Sequence, residues 1–162
     1  MSTISSPAEP IALGPDKGEA RWFLGTLTTV DATARRVAVI EHDAPRASGP
    51  PLHVHHHQDE WFHVIDGELT LWIGGRIITA PADSLVYGPR DTPHTFTVSS
   101  ERARFLNVAA PAGLGMLMRA LSEPAARPEI TAAPTAPPDM AAMRQLAADH
   151  GIEILGPPGI PA

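Results

Sequence analysis

The chain has 162 residues, a formal net charge of −6 and no cysteine. That length fits one domain with a real core. The acidic balance, without any run of Lys or Arg, speaks against a nucleic-acid partner, and the lack of Cys excludes disulfides and thiolate metal sites. The opening stretch MSTISSPAEPIALGPDKGEARW has neither the basic start nor the apolar run of a signal peptide, and no segment is apolar enough to span a bilayer. A cytoplasmic protein without a membrane partner is the expectation.

Taken in chain order, short runs rich in β-branched and aromatic residues follow one another between about residues 22 and 110: RRVAVIEHDA, LHVHH, EWFHVI, ELTLWI, RIITA, SLVYG, HTFTV and ARFLNVAA. The 18 prolines, about twice the usual share of roughly 5%, fall between these runs and at the ends. Asp66-Gly67 and Gly74-Gly75 read as two-residue hairpin turns. Many short strands at close spacing predict an all-β sandwich or barrel over residues 1–110, including an N-terminal strand segment. Residues 111–162 form a different kind of segment. GLGMLMRALSEP places Leu114, Leu117, Met118 and Leu121 on one helical face and stops before Pro124. PPDMAAMRQLAADHG predicts a second helix with Asp139 as N-cap, Gly151 as C-cap, and Met140, Met143 and Ala147 on one side. The connector EPAARPEITAAPTAPP is proline-rich and extended, and both helices are expected to pack on the barrel's open end or face.

Five of the eight histidines lie in GPPLHVHHHQDEWFHVIDGELTLW, residues 49–72. Side chains alternate along a strand, so His53 and His55 share a face and His56 points away. Glu60 follows His55 at an odd spacing, so a turn at HHQD must bring it back, and a hairpin there would set it across from the two histidines. An Asp66-Gly67 hairpin would then pair Ile65 with Glu68, Val64 with Leu69 and His63 with Thr70. One face collects Glu60, Phe62, Val64, Leu69 and Leu71. In YGPRDTPHTFTV, His94 opens a strand with Phe96 and Val98 on its own face. Neutral imidazoles and a carboxylate converging on one point suit one divalent transition metal: Fe, Mn, Ni, Co, Cu or Zn. The ligands read from this pattern are His53, His55, Glu60 and His94. A register on His55 and His57 would leave only two residues before Glu60. His42 and His150, without partners in sequence, read as ordinary core or surface residues.

These residues resemble the two signature motifs of the cupin superfamily, whose fold is a double-stranded β-helix or jelly-roll barrel. The first, H-x-H, three or four residues, Glu, six residues, Gly, is matched by His53, His55, Glu60 and Gly67. The second, Pro-x-Gly, two residues, His, is matched by Pro89 and His94. Ala47, Asp83 and Asp91 stand where the motifs have glycine, and Val98 where the second closes on Asn; Asp91 tolerates a left-handed backbone well enough to keep its turn. PPLHVHHHQDEWFHVIDGELTL with YGPRDTPHTF, and the closing HGIEILGPP, are similar to the small single-domain cupins grouped with flavonol (quercetin) 2,3-dioxygenase.

That resemblance implies a metal-dependent dioxygenase acting on a flavonol-like or other enolisable aromatic small molecule. Glu60 would be both ligand and general base, and Phe62, Leu69, Leu71, Phe96 and Val98 would be the apolar pocket walls. A metal-dependent isomerase or cyclase, and a non-catalytic small-molecule-binding cupin, are the alternatives. Outside the barrel, the same register sets Trp61 beside Trp72, an apolar pair that predicts a homodimer packed through this sheet.

Overall fold

The computed structural model describes residues 18–34, 36–127, 129–130 and 139–162. Ten strands come first: β1 Glu19–Phe23, β2 Thr26–Ala34, β3 Val37–Pro45, β4 Pro51–His55, β5 Asp59–Asp66, β6 Glu68–Ile73, β7 Arg76–Pro81, β8 Leu85–Gly88, β9 His94–Val98 and β10 Arg102–Ala110. Helix α1 Gly113–Leu121, the two-residue β11 Glu123–Pro124, helix α2 Met140–Asp149 and β12 Ile152–Pro158 complete the chain. Two antiparallel sheets result, one of seven strands in the order β11-β1-β2-β3-β10-β5-β8 and one of five in the order β12-β4-β9-β6-β7. They face each other as a jelly-roll barrel, one of the architectures that the strand spacing allows and the one that the cupin resemblance implies. No described helix is long and apolar enough to cross a membrane.

Alternation decides which side chains fill the barrel. Along β5 and β6 every second residue is buried, which sends Glu60, Phe62, Val64, Leu69, Leu71 and Ile73 inward. One end of the barrel is packed solid by a cluster that includes Phe62, Val64, Leu69, Leu71, Val98 and Phe105. At the other end Ile40, Ala109 and Ile152 meet Leu114, Leu117, Met118 and Ala147, so the two helices close that end as an apolar cap. Asp139 caps α2 by accepting from the Ala141 and Ala142 amides at 3.0 Å, and Gly151 leaves it at φ 73°. Part of the connector, residues 131–138, lies outside the described residues.

Two expected hairpins do not form. β4 belongs to the five-stranded sheet and β5 to the seven-stranded one, so the HHQD turn carries the chain across the barrel. Likewise β5 pairs with β10 and β8, whereas β6 pairs with β7 and β9, so Asp66-Gly67 is a corner between sheets and the Ile65–Glu68 register does not exist. The cause is visible at Gly67, whose φ is 79° and where a Cβ would overlap the Arg102 carbonyl: the corner closes onto the start of β10. The inward face survives because burial alternates along each strand and the corner shifts its phase by one residue, from Val64 to Leu69. The outward prediction does not survive. Trp61 lies opposite Tyr87 and stacks on it at 5.3 Å, while Trp72 lies in the other sheet opposite Ile77 and Thr95. The expected homodimer thereby loses the tryptophan pair on which it rested. Gly74-Gly75, in contrast, forms its hairpin, with φ values of 55° and 85° and Ile73 paired to Arg76.

Where the cupin motifs would have glycine, this chain keeps the glycine backbone with other residues: φ is 65° at Ala47, 66° at Asp83 and 59° at Asp91. Each is pinned by a backbone bond, Ala47 N–H to Val98 O at 2.9 Å, Asp83 N–H to Val64 O at 2.9 Å and Asp91 N–H to His55 O at 2.8 Å. Left-handed backbone at Ala costs about 1–2 kcal/mol, less the extra chain entropy of Gly. Ala47→Gly should therefore raise unfolding stability by about 0.5–1 kcal/mol, and Gly67→Ala should lower it by about 2 kcal/mol or more, both read from urea unfolding curves.

Candidate metal centre

The sheets bring four of the expected side chains to one point. β4 projects His53 and His55 inward; β9 begins with His94 directly across from His53; and β5 supplies Glu60 from the opposite sheet. One donor atom from each of His53, His55, Glu60 and His94 lies within 4.8 Å of the others. His55, Glu60 and His94 are 1–2% exposed.

Second partners fix which nitrogen faces the centre. His53 Nδ1 lies 2.8 Å from the Pro51 carbonyl and His94 Nδ1 2.9 Å from the Thr92 carbonyl, and a carbonyl only accepts, so both Nδ1 atoms carry hydrogen. His55 Nδ1 lies 2.9 Å from Gln58 Oε1. The orientation of that amide is set in turn by Gln58 Nε2 donating to the His150 carbonyl at 3.4 Å. All three Nε2 atoms are left to face inward. His53 Nε2 and His55 Nε2 then sit 3.0 Å apart, lone pair to lone pair, and His94 Nε2 sits 2.7 Å from Glu60 Oε2. Such contacts repel unless a proton or cation lies between them. Three imidazoles and a carboxylate, with no thiolate, fit a divalent transition metal, and the cluster could bind one.

The electrostatics of the empty cluster agree. Burial, with the charges of His94 and His55 added, pushes His53 down to about 3. Burial would raise Glu60, but the charges of His55, His94 and His53 and the bond from His94 outweigh it and hold the carboxyl below its ordinary range. His94 is also disfavoured as a cation by burial, yet the adjacent Glu60 carboxylate raises it above its ordinary value. Without metal, the His94–Glu60 contact is therefore the place in the cluster that favours a proton. Asn107 donates Nδ2–H to Glu60 Oε1 at 3.2 Å, which leaves Oε2 as the oxygen aimed at the histidines. The Asn107 Oδ1 has no hydrogen-bond partner among the described residues.

The remaining expected residues separate. Phe62 and Phe96 line the cavity in front of the cluster, whereas Leu69, Leu71 and Val98 are 0–1% exposed in the solid core behind it. His56 and His57 are exposed on the turn, where His56 bonds Asp91 at 3.0 Å and Glu153 at 3.2 Å. Sequence reasoning missed Gln58, Asn107 and His42; it expected the helical cap but not that Leu114, Leu117, Met118, Met143 and Ile152 would line the cavity. Two of these had a readable signal: Asn107 and His42 are polar residues at inward positions of otherwise apolar strands, between Phe105 and Ala109 on β10 and between Ile40 and Ala44 on β3.

Residues 39–109 match the Cupin_2 family, a cupin domain. The jelly-roll architecture agrees with that match, which covers 39–109 and so most of the barrel strands. Over 86 residues the chain is 23% identical to quercetin 2,3-dioxygenase of Bacillus subtilis (strain 168), which is 53% of this chain and 26% of that protein. The chain thus spans about a quarter of the length of this curated relative. Among solved structures it is similar to an RmlC-like cupin from Shewanella frigidimarina NCIMB 400, with TM-score 0.58 and 15% identity over 65% of this chain and 93% of that one. It is also similar to the polyketide cyclase RemF from Streptomyces resistomycificus, with TM-score 0.55 and 18% identity over 64% and 80%. At these identities the structural likeness concerns the fold.

Two outcomes are expected. Gln58→Leu should weaken metal binding about 10–100-fold, read by chelator competition, because His55 loses the partner that holds its tautomer. Metal-free protein should lose stability as pH falls. His53 and His42, the latter pushed down to about 4 by burial, have folded values below the ordinary 6.5. The unfolded chain therefore takes up protons first, and their stabilisation is complete above about pH 6.5 and lost progressively toward pH 4. His94 is shifted the other way, so its contribution is complete below about pH 6.5 and does not offset this loss. His42→Gln should reduce the slope of stability against pH in this window by about one proton.

Proposed function

We propose that this protein is a metal-dependent dioxygenase acting on a flavonol-like or other enolisable aromatic substrate. The observation that carries the reading is the position of the donor cluster: His53, His55 and Glu60 form part of the wall of a cavity otherwise lined mainly by apolar and aromatic side chains, among them Phe23, Phe62, Phe96 and Phe105. A divalent transition metal on His53, His55, Glu60 and His94 would supply Lewis acidity at the substrate's oxygen and a place for dioxygen beside it. Everything else falls to the chain itself. The phenylalanines offer flat walls to a flat ring, with Phe62 and Phe96 edge to face at 5.8 Å. Leu114, Leu117 and Met118 of α1 cap the cavity and exclude bulk water from the reacting group.

Glu60 is the general base in this reading. Asn107 holds Oε1, so Oε2 takes the substrate's hydroxyl proton, and His94 Nε2, 2.7 Å away, shares the charge that the proton transfer moves. The match to quercetin 2,3-dioxygenase supports this substrate class. A second reading, a cyclase or isomerase without oxygen, rests on the same Glu60–His94 pair, which can move a proton unaided by any oxidant.

Metal analysis followed by oxygen-electrode assays with a panel of flavonols tests the proposal. Oxygen uptake with ring cleavage is expected; conversion without uptake would transfer the assignment to the second reading. Glu60→Gln should retain more metal than His94→Ala but lose about 10²-fold or more in turnover, since a carboxamide can coordinate weakly but cannot accept the proton. A fully active Glu60→Gln would remove Glu60 as the base.

A further inference from the structure

Among the described residues that line the cavity, His42 is the titratable one that the proposed chemistry does not use. It lies on β3 with its ring stacked on Phe105 at 5.0 Å, and both rings line the cavity. Its Nδ1 is 3.1 Å from Thr28 Oγ1 on β2. Thr28 is fully buried, and His42 is the only side-chain partner of its hydroxyl among the described residues. If Nδ1 carried the hydrogen, the Thr28 O–H would be a buried donor with nothing to bond, which folded proteins avoid. Thr28 therefore donates to Nδ1, and the hydrogen of the neutral ring sits on Nε2. No described residue accepts it. The result is an N–H donor on a ring that borders the cavity, with its tautomer chosen by a buried hydroxyl.

Its position relative to the donor cluster follows from register. His42 pairs with Phe105, and Asn107 pairs with Phe62, one residue pair nearer the end of β5 that bears Glu60. His42 and Asn107 are therefore diagonal neighbours on the inner face, about 7–8 Å apart at Cα, and the Asn107 amide is the one that holds Glu60. A ligand whose ionised oxygen lies at the cluster would extend its ring past Asn107 toward His42.

We infer that the Thr28–His42 pair is a second anchor of the cavity, donating one hydrogen bond to an acceptor oxygen of the aromatic substrate remote from the oxygen held at the His53–His55–Glu60–His94 cluster. The inference rests on the aromatic-substrate reading above and narrows it: the preferred ligand carries two separated oxygen functions, one ionisable and one accepting. Burial keeps His42 uncharged at neutral pH, so the anchor favours a neutral hydroxyl, ether or carbonyl oxygen without a strong demand for an anion.

Anaerobic calorimetry of the metal-loaded protein with 3-hydroxyflavone and a positional set of its mono-hydroxylated derivatives tests the anchor without turnover. At least one derivative should bind wild type roughly 3–10-fold more tightly than 3-hydroxyflavone, the gain of one neutral hydrogen bond. His42→Phe, which keeps the stacked ring and removes the donor, should abolish that ratio. His42→Gln, whose amide can present an N–H near the same place, should restore part of it. Thr28→Val, which frees the tautomer, should diminish it and serves if His42→Phe does not fold. An unchanged ratio in His42→Phe, or no derivative favoured by wild type, would overturn the anchor while leaving the aromatic-substrate reading intact. Wild type that binds none of the set would overturn that reading and the anchor with it.

Discussion

Three imidazole nitrogens and a carboxylate oxygen, gathered within 4.8 Å and largely shut off from water, repel one another through their lone pairs, and the barrel is arranged to hold them there. Each ring is gripped from behind, by the Pro51 carbonyl, the Gln58 amide or the Thr92 carbonyl, so none can rotate its Nε2 away. The cost of the unfilled cluster is relieved only by a proton or a cation. Because the histidines come from one sheet and Glu60 from the other, whatever charge settles there also ties the two sheets together. The site is in this sense part of the barrel's architecture.

The cavity in front of the cluster has a compositional origin. Inward positions on β3 and β10 run Ala38, Ile40, His42, Ala44 and Ala103, Phe105, Asn107, Ala109, so on each strand two larger residues are flanked by alanines. The adjacent strand β5 and the facing strand β6 bring Phe62, Val64, Leu69 and Leu71, which fill one end. Space is left between the phenylalanine rings and the helical cap, and the polar side chains His42 and Asn107 border it, Asn107 with an Oδ1 that has no hydrogen-bond partner among the described residues.

Local rules made the donor set readable. Alternation puts His53 and His55 on one face and, applied within each strand, gives the inward set from Glu60 to Leu71; the Asp66-Gly67 corner shifts the phase by one residue, as the expected hairpin would have done, even though the hairpin does not exist. What failed was every inference that needed to know which sheet a strand joins. Period-2 patterning is blind to this, and a two-residue Asp-Gly turn looks the same whether it reverses a strand or changes sheets; the difference lies in Arg102, whose carbonyl fills the space where Gly67 has no side chain. The pairing of Trp61 with Trp72 fell for that reason. Asp91, in contrast, was read correctly as able to keep a left-handed turn, and Ala47 and Asp83 do the same. His42 was set aside because its partner, Thr28, lies on a neighbouring strand and no short motif joins them.

The pairing of β12 bears on the order in which this molecule can be built. Strand β4, which carries His53 and His55, is matched to β9 through the single pair His53–His94, but along its other edge it is matched to β12 through Ile152, Glu153, Ile154 and Pro158. The neighbour that secures the histidine strand is thus made about a hundred residues after it, and joining positions so distant closes a long loop. During synthesis the earlier strands can pair while β4 still has a bare edge, so the imidazoles reach their final spacing only after residues 152–158 have left the ribosome. A metal held by this cluster would then be captured at the close of folding. A chain cut at the end of α2 would keep every donor atom and still lack the means to hold them in place.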